Sequence, residues 1–159
     1  MILNVVHINL NCSDIERSVA FYYKLGFEVM HVFGDAPSDK TLDPDADLMT
    51  GMTGPGGSRS RGCVLSLGDD PRSTTKLELL EHIEPPARAS APRAANEVGV
   101  GRIALRTKNL LEFVGKLKAE GVEFELEPVE IDVVGASRFA LFRDPDGVLL
   151  ELIEFQERP

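Results

Sequence analysis

Residues 97–114, EVGVGRIALRTKNLLEFV, repeat the pattern of residues 3–21, LNVVHINLNCSDIERSVAF. An offset of 95 residues carries Ile8 onto Ile103, Leu10 onto Leu105, Val19 onto Val114, Gly26 onto Gly121 and Glu28 onto Glu123 without a gap. A repeat of this kind dictates architecture, because each copy must bury its apolar face with the same elements in the same order. VVHINLN and GRIALRT alternate as half-buried strands do. Ser13-x-x-Glu16 and Asn109-x-x-Glu112 have the form of capping boxes at helix starts. Ile15, Val19 and Tyr22 give the first helix an apolar stripe, and Leu110, Val114 and Leu117 do the same for the second. Phe21, Tyr22 and Tyr23 are read as helix packing. Gly26 and Gly121 stand where helices end in a left-handed residue, and FEVMHVF and VEFELEP follow as strands.

The copies close at a different spacing. KLELLE at 76–81 aligns with LLELIE at 149–154, an offset of 73, so the first copy is longer by 22 residues. The surplus is the segment 34–62, rich in Gly, Pro, Ser and Asp and without a sustained period. A loop of that length in a compact domain is usually functional or disordered; as a functional loop it is expected to cover a cavity and help choose the substrate. The second copy has a tight hairpin instead, turning at Asp144-Pro145-Asp146-Gly147. HIEPPARASAPRAANEV, 82–98, reads as a linker. The expected fold is α+β: a βαβββ module over 1–81 with the long loop 34–62, the linker 82–98, and a second βαβββ module over 99–159. The two are expected to form a curved, cupped mixed sheet with the helices on its outer face.

Composition narrows the partners. A net charge of −9, from 26 acids against 17 bases, argues against nucleic acid, which calls for a basic face. No apolar run approaches the roughly 20 residues that span a bilayer. The N-terminus MILNVVHINLN lacks the basic segment and cleavage site of a signal peptide, so a cytoplasmic location is expected. Cys12 and Cys63 cannot build a disulfide framework or a C-x-x-C zinc site, and read as small packing residues.

Polar residues on otherwise apolar strands mark the candidate site. His7 shares a strand face with Val5 and Asn9; Glu78 lies with Lys76, Leu80 and His82; Glu151 lies between Leu149 and Ile153. The repeat makes Glu78 equivalent to Glu151 and His7 equivalent to Arg102, and its pseudo-symmetry leads all four toward one centre. A carboxylate among apolar neighbours is costly unless paired or bound to a cation. Two carboxylates and an imidazole suit a divalent metal. His82 is too far along its strand to join that set and reads as surface, as does His31. Arg59 and Arg61 read as part of the solvated loop.

The duplicated module, the strand-borne His7 and the endings KLELLEHIEP and FRDPDGVLLELIE resemble the vicinal oxygen chelate superfamily. That superfamily includes glyoxalases, methylmalonyl-CoA epimerases, extradiol dioxygenases, fosfomycin-resistance enzymes and metal-free bleomycin-resistance proteins. The resemblance covers nearly the whole chain except 34–62 and the linker, and KLELLEHIEP looks most like the epimerase and glyoxalase branches. It implies a metal held by His7, Glu78 and Glu151 (Fe, Mn, Co, Ni, Zn or Mg), a small-molecule substrate and a homodimer. The fourth ligand expected, a His at position 102, is replaced by Arg102, whose guanidinium has no lone pair to give a metal.

Three readings compete for that arginine. His7, Glu78 and Glu151 hold an ion while Arg102 swings away or grips a substrate carboxylate; or Arg102 replaces the ion, bridging Glu78 and Glu151; or the site is rebuilt from other residues. The function expected is an isomerase, epimerase or lyase in which a cation, metal or Arg102, stabilises an enolate-like anion while Glu151 or Glu78 moves the proton. The alternatives are a metal-free ligand-binding protein of the bleomycin-resistance kind and, further off, a ring-cleaving dioxygenase.

Overall fold

The structure is a computed structural model that describes residues 1–34, 59–68, 75–88, 94, 96–132 and 135–156. The chain divides into two compact units, Met1–Ser90 and Ala91–Pro159. In the first, β1 (His7–Cys12) leads to α1 (Ile15–Lys24), then β2 (Glu28–Phe33), β3 (Arg59–Ser66) and β4 (Lys76–Glu84). In the second, β5 (Ile103–Arg106) leads to α2 (Leu110–Ala119), then β6 (Phe124–Ile131), β7 (Ser137–Arg143) and β8 (Leu149–Phe155). The sheet orders are β1-β4-β3-β2 and β5-β8-β7-β6. In each, the first strand runs parallel to the last and the remaining pairs are antiparallel. Both expected βαβββ modules are therefore present, with the same topology, and their strands make two four-stranded mixed sheets.

Each helix packs on one face of its own sheet, against β4 and β2 in the first unit and against β6, β7 and β8 in the second. That face is apolar by alternation. Leu10 and Cys12 of β1, Val32 of β2, Cys63 and Leu65 of β3, and Leu77 and Leu79 of β4 are buried, as are Ile15, Val19 and Tyr22 of α1. The Tyr22 ring meets Phe21 and Phe27 edge-on at 5.4 and 5.7 Å, geometries that suit the ring quadrupoles. In the second unit Ile103, Leu110, Val114, Leu117, Ala140, Phe142, Leu150 and Leu152 play the same part. Tyr23 departs from the expected packing role. It lies one residue off the apolar stripe, about 100° around the helix, and is 51% exposed.

Both cysteines are buried, as packing residues would be. Burial, with a smaller contribution from Cys12, pushes the Cys63 thiol up to about 12. Gly26 and Gly121 take positive φ at the helix ends, 90° and 84°. The β7–β8 turn forms where expected: Gly147 has φ 88°, and Asp144 Oδ1 accepts from the amides of Asp146 and Val148 at 3.0 and 2.8 Å.

Three boundaries differ from the sequence reading. β3 starts at Arg59, so residues 59–62 belong to a strand and not to the loop; residues 35–58 lie outside the described residues. β4 continues to Glu84, into the segment read as linker. Neither capping box forms. Asp14, not Ser13, caps α1, accepting from the Arg17 amide at 3.0 Å, and that bond holds the Asp14 carboxyl below its usual value. Asn109 does cap α2 but sits at φ 54° and makes no side-chain cap bond.

Glutamates from the last strands do that work in both modules. Glu81 of β4 accepts from the Ile15 amide at 3.2 Å. Its repeat equivalent, Glu154 of β8, accepts from the amides of Asn109 and Leu110 at 2.6 and 3.3 Å. Each is met by an arginine directly across the sheet. Arg61 is the register partner of Glu81 and Arg138 that of Glu154. Arg61 Nε donates to Glu81 at 2.8 Å while its terminal nitrogens hold Glu16 of α1 at 2.7 and 2.8 Å. Arg138 stands 3.8 Å from Glu154 and donates to Glu130 at 2.6 Å. Arg61 is thus a strand residue tying β3 and β4 to the helix.

Candidate functional site

The sheet face opposite each helix carries the candidate residues. Alternation sends Leu77, Leu79 and Glu81 of β4 toward α1 and Lys76, Glu78, Leu80 and His82 to the other side. On β1, Ile8, Leu10 and Cys12 face the helix, and His7, Asn9 and Asn11 face away. Register then sets the neighbours. Asn9 lies beside Glu78, Val64 of β3 lies on the far side of it, and His31 of β2 lies beyond Val64.

His7 Nε2 stands 3.4 Å from Glu78 Oε2, with the imidazole 45% and the carboxylate 12% exposed. Asn9 Nδ2 donates to the same oxygen at 3.4 Å. The first module thus holds one mostly buried carboxylate, one imidazole and one carboxamide on adjacent strands. All three histidines of the chain share this sheet face, although His31 and His82 are in neither of these contacts.

The second module repeats the arrangement with a different cation. Arg102, one residue before β5, donates through Nε to Glu151 Oε2 on β8. Glu151 is 8% exposed and Arg102 55%. Leu141 of β7 lies directly across from Glu151, and Phe139 across from Ile153. A carboxylate among these apolar side chains needs a positive partner, and the guanidinium supplies it permanently. The terminal nitrogens of Arg102 meet no protein acceptor among the described residues. Of the readings of position 102, the one found inside this module is an ion pair to Glu151.

The structure therefore places His7 with Glu78 and Arg102 with Glu151, each pair within its own unit. The donor set decides how a metal fits. His7 and Glu78 offer one nitrogen and one carboxylate, and the Glu151 carboxylate is already engaged by Arg102. A catalytic divalent site draws on about three protein ligands. Among the described residues no group of three or more His, Cys, Asp or Glu side chains is close enough to hold an ion. A surface groove of about 460 Å³ lined by Tyr23, Gly26, Phe27, Glu28 and Val29 contains none of the candidate residues.

One feature of the first module's open face escaped the sequence reading. Gly62 sits in β3 under Phe33, and a Cβ there would come within 2.2 Å of the Phe33 ring and 2.6 Å of the Leu79 carbonyl. The Phe33 ring thus covers Gly62, two residues along β2 from His31. The signal was a glycine in a run of Gly, Ser and Arg, which pattern reading assigns to a loop.

Comparison with known proteins agrees with the geometry. A family model described as the Glyoxalase/Bleomycin resistance protein/Dioxygenase superfamily matches residues 4–152. The uncharacterized protein YwkD of Bacillus subtilis (strain 168) is 31% identical over 156 residues, spanning 97% of this chain and 98% of that protein. A glyoxalase family protein from Bacillus cereus has the same fold, with a TM-score of 0.75 at 18% identity over 97% of this chain and 95% of the other. A glyoxalase family protein from Enterococcus faecalis gives a TM-score of 0.62 at 27% identity, covering 95% and 97%. Among the described residues no helix is long and apolar enough to cross a membrane.

Proposed function

Since the chain belongs to the Glyoxalase/Bleomycin resistance protein/Dioxygenase superfamily, we propose that it is an isomerase, epimerase or lyase acting on a small oxygenated organic acid, with the fixed charge of Arg102 doing the work of a cation. The observation that carries this reading is the seating of Arg102 on buried Glu151. One N–H anchors the guanidinium, and the terminal N–H groups remain to grip substrate oxygens. Guanidinium donors held in advance stabilise the negative charge that develops on an enolate oxygen. Glu78 is the carboxylate to move the proton, because Glu151 is committed to Arg102 while Glu78 is held by the Asn9 carboxamide and the His7 imidazole. It takes a proton alpha to the substrate carbonyl, and the same proton returns to carbon or a leaving group departs. His7 holds Glu78 in position.

The rival is a divalent ion on His7, Glu78 and Glu151. The His7–Glu78 contact supports it, since imidazole and carboxylate already share one direction. Elemental analysis of protein purified without chelator or added metal separates the two. On our reading the wild type carries no stoichiometric transition metal, and Arg102→His, which frees Glu151 and adds an imidazole, gains one. Stoichiometric metal in the wild type that disappears in His7→Ala would overturn it. Exchange of substrate-carbon hydrogen for solvent deuterium then tests catalysis. Ligand binding without any exchange, across small carboxylic and hydroxy acids, would instead place the protein with the ligand-sequestering members.

A further inference from the structure

The duplication provides an internal control for the second module's open face. Where β1 and β5 align, the helix-side residues keep their character: Ile8 and Leu10 correspond to Ile103 and Leu105. All three positions on the other face differ, His7, Asn9 and Asn11 being replaced by Arg102, Ala104 and Arg106. The module has kept its packing and rewritten its open side, with two guanidiniums separated by a residue that adds only a methyl group.

Arg106 has an unusual setting for this chain. Arg61, Arg138 and Arg143 each face carboxylates. Arg106 is exposed and meets no carboxylate among the described residues, although the protein carries a net charge of −9. Its guanidinium carbon lies 5.5 Å from the centre of the Phe155 ring. Stacking of that kind orients an arginine while leaving its N–H edge open to an anion.

The two arginines lean the same way. Arg102 reaches Glu151, the register partner of Ala104, and Arg106 reaches Phe155, two residues beyond its own partner Ile153. Their guanidiniums are therefore about four strand residues apart, roughly 13 Å. Half-buried Ile153 lies between them on β8, with half-buried Phe139 beside it on β7. The face reads as charge, apolar strip, charge.

Resting on the reading of Arg102 as the substrate-gripping cation, we infer that Arg106, held over Phe155, is a second anion-binding position, and that the substrate is a short organic dianion whose carbon chain crosses Ile153 and Phe139. With about 3 Å taken by each charge-assisted hydrogen bond, the two anionic groups stand about 7 Å apart. That distance corresponds to an extended chain of about six or seven carbons between and including two carboxyl carbons. A phosphate at the Arg106 end presents the same anionic oxygens, so the second group is defined by charge.

Isothermal titration calorimetry of the full chain with alkane dicarboxylates of about three to eight carbons, and with the matching monocarboxylates, tests this. Affinity is expected to peak near the middle of the dicarboxylate series. Arg106→Gln should bring the best dicarboxylate down to the level of its monocarboxylate, a loss of about tenfold or more. Arg106→Lys, which keeps charge but loses the planar stack, should fall between. An ω-phosphono acid of the same length that binds tighter than the dicarboxylate, and loses its advantage in Arg106→Gln, identifies the second group as phosphate. Equal binding of mono- and dicarboxylates at every length, still dependent on Arg102, overturns the inference and leaves the function of Arg102 standing. If Arg102→Gln changes no binding at all, the functional reading beneath it falls as well.

Discussion

Glu154→Ala should detach α2 from its own sheet at one identifiable point. In the wild type the Glu154 carboxylate accepts from the amides of the cap residue Asn109 and of Leu110, the first helical residue, at 2.6 and 3.3 Å, and faces Arg138 at 3.8 Å. Asn109, the residue at the cap position, contributes no side-chain bond of its own, so no second acceptor replaces the carboxylate. Loss of a helix N-cap costs about 1 kcal/mol. Loss of a negative charge at the positive end of the helix dipole adds about 0.5 kcal/mol, and the stretched, partly exposed pair to Arg138 about as much again. The expected total is about 2 kcal/mol. In urea, with a slope of about 2 kcal/mol/M, the midpoint of the transition that reports on α2 should fall by about 1 M. Glu154→Gln keeps an acceptor and discards the charge, so its midpoint should lie about halfway. Hydrogen exchange gives the local readout, since the Asn109 and Leu110 amides should lose protection before the rest of the helix. A Glu154→Ala midpoint within the error of wild type, with both amides still protected, would show that something other than this strand closes the helix end.

Arg102→Ala strands a carboxylate that is almost wholly buried. The pair is exposed on the arginine side, so the cost is discounted from the several kcal/mol of a fully buried pair to about 1–3 kcal/mol; adding Glu151→Leu should recover most of it in thermal denaturation. Gly62→Ala drives a methyl group into the Phe33 ring and the Leu79 carbonyl, an overpacking expected to cost about 1–3 kcal/mol, and Phe33→Ala in the same chain should relieve part of that strain. The lowered Asp14 carboxyl contributes stability that is present above its ordinary value of 3.8 and lost as pH falls through its folded value. Asp14→Asn, which keeps the acceptor, should therefore flatten that acid limb in circular dichroism titration. The raised Cys63 thiol acts oppositely, its contribution fading as pH climbs from 9.0 toward about 12, and Cys63→Ala should remove this alkaline loss.

The architecture was legible because a repeat states it twice. Apolar period, glycine stops and the two endings fixed the modules, and with them the equivalence of Glu78 with Glu151 and of His7 with Arg102. The contacts His7–Glu78 and Arg102–Glu151 lie where that equivalence leads, since parallel pairing of first and last strands puts these residues on neighbouring strands. What escaped was non-local. Ser13-x-x-Glu16 has the letters of a capping box, but the amide of Ile15 is taken by Glu81, 66 residues away, and Leu110 by Glu154, 44 residues away. No local window contains such a bond. RSRGCVLS opens like a loop because its strand character comes from β2 and β4 on either side, and Gly62 is there to admit an aromatic ring. The charged face of the second module was visible in pieces. Arg106 meant nothing until β5 placed it on the same side as Arg102 and beneath it Phe155 closed the stack.

The two native thiols have a practical consequence. Cys12 and Cys63 lie inside the first module, and the latter remains protonated at any pH used for labelling. Maleimide chemistry will therefore pass over the natural chain, which serves as its own cysteine-free background. One engineered cysteine on the open side of β8 would take a single fluorophore, and the arrival of a small acid could be followed as a change in its emission before the chemistry it undergoes is known.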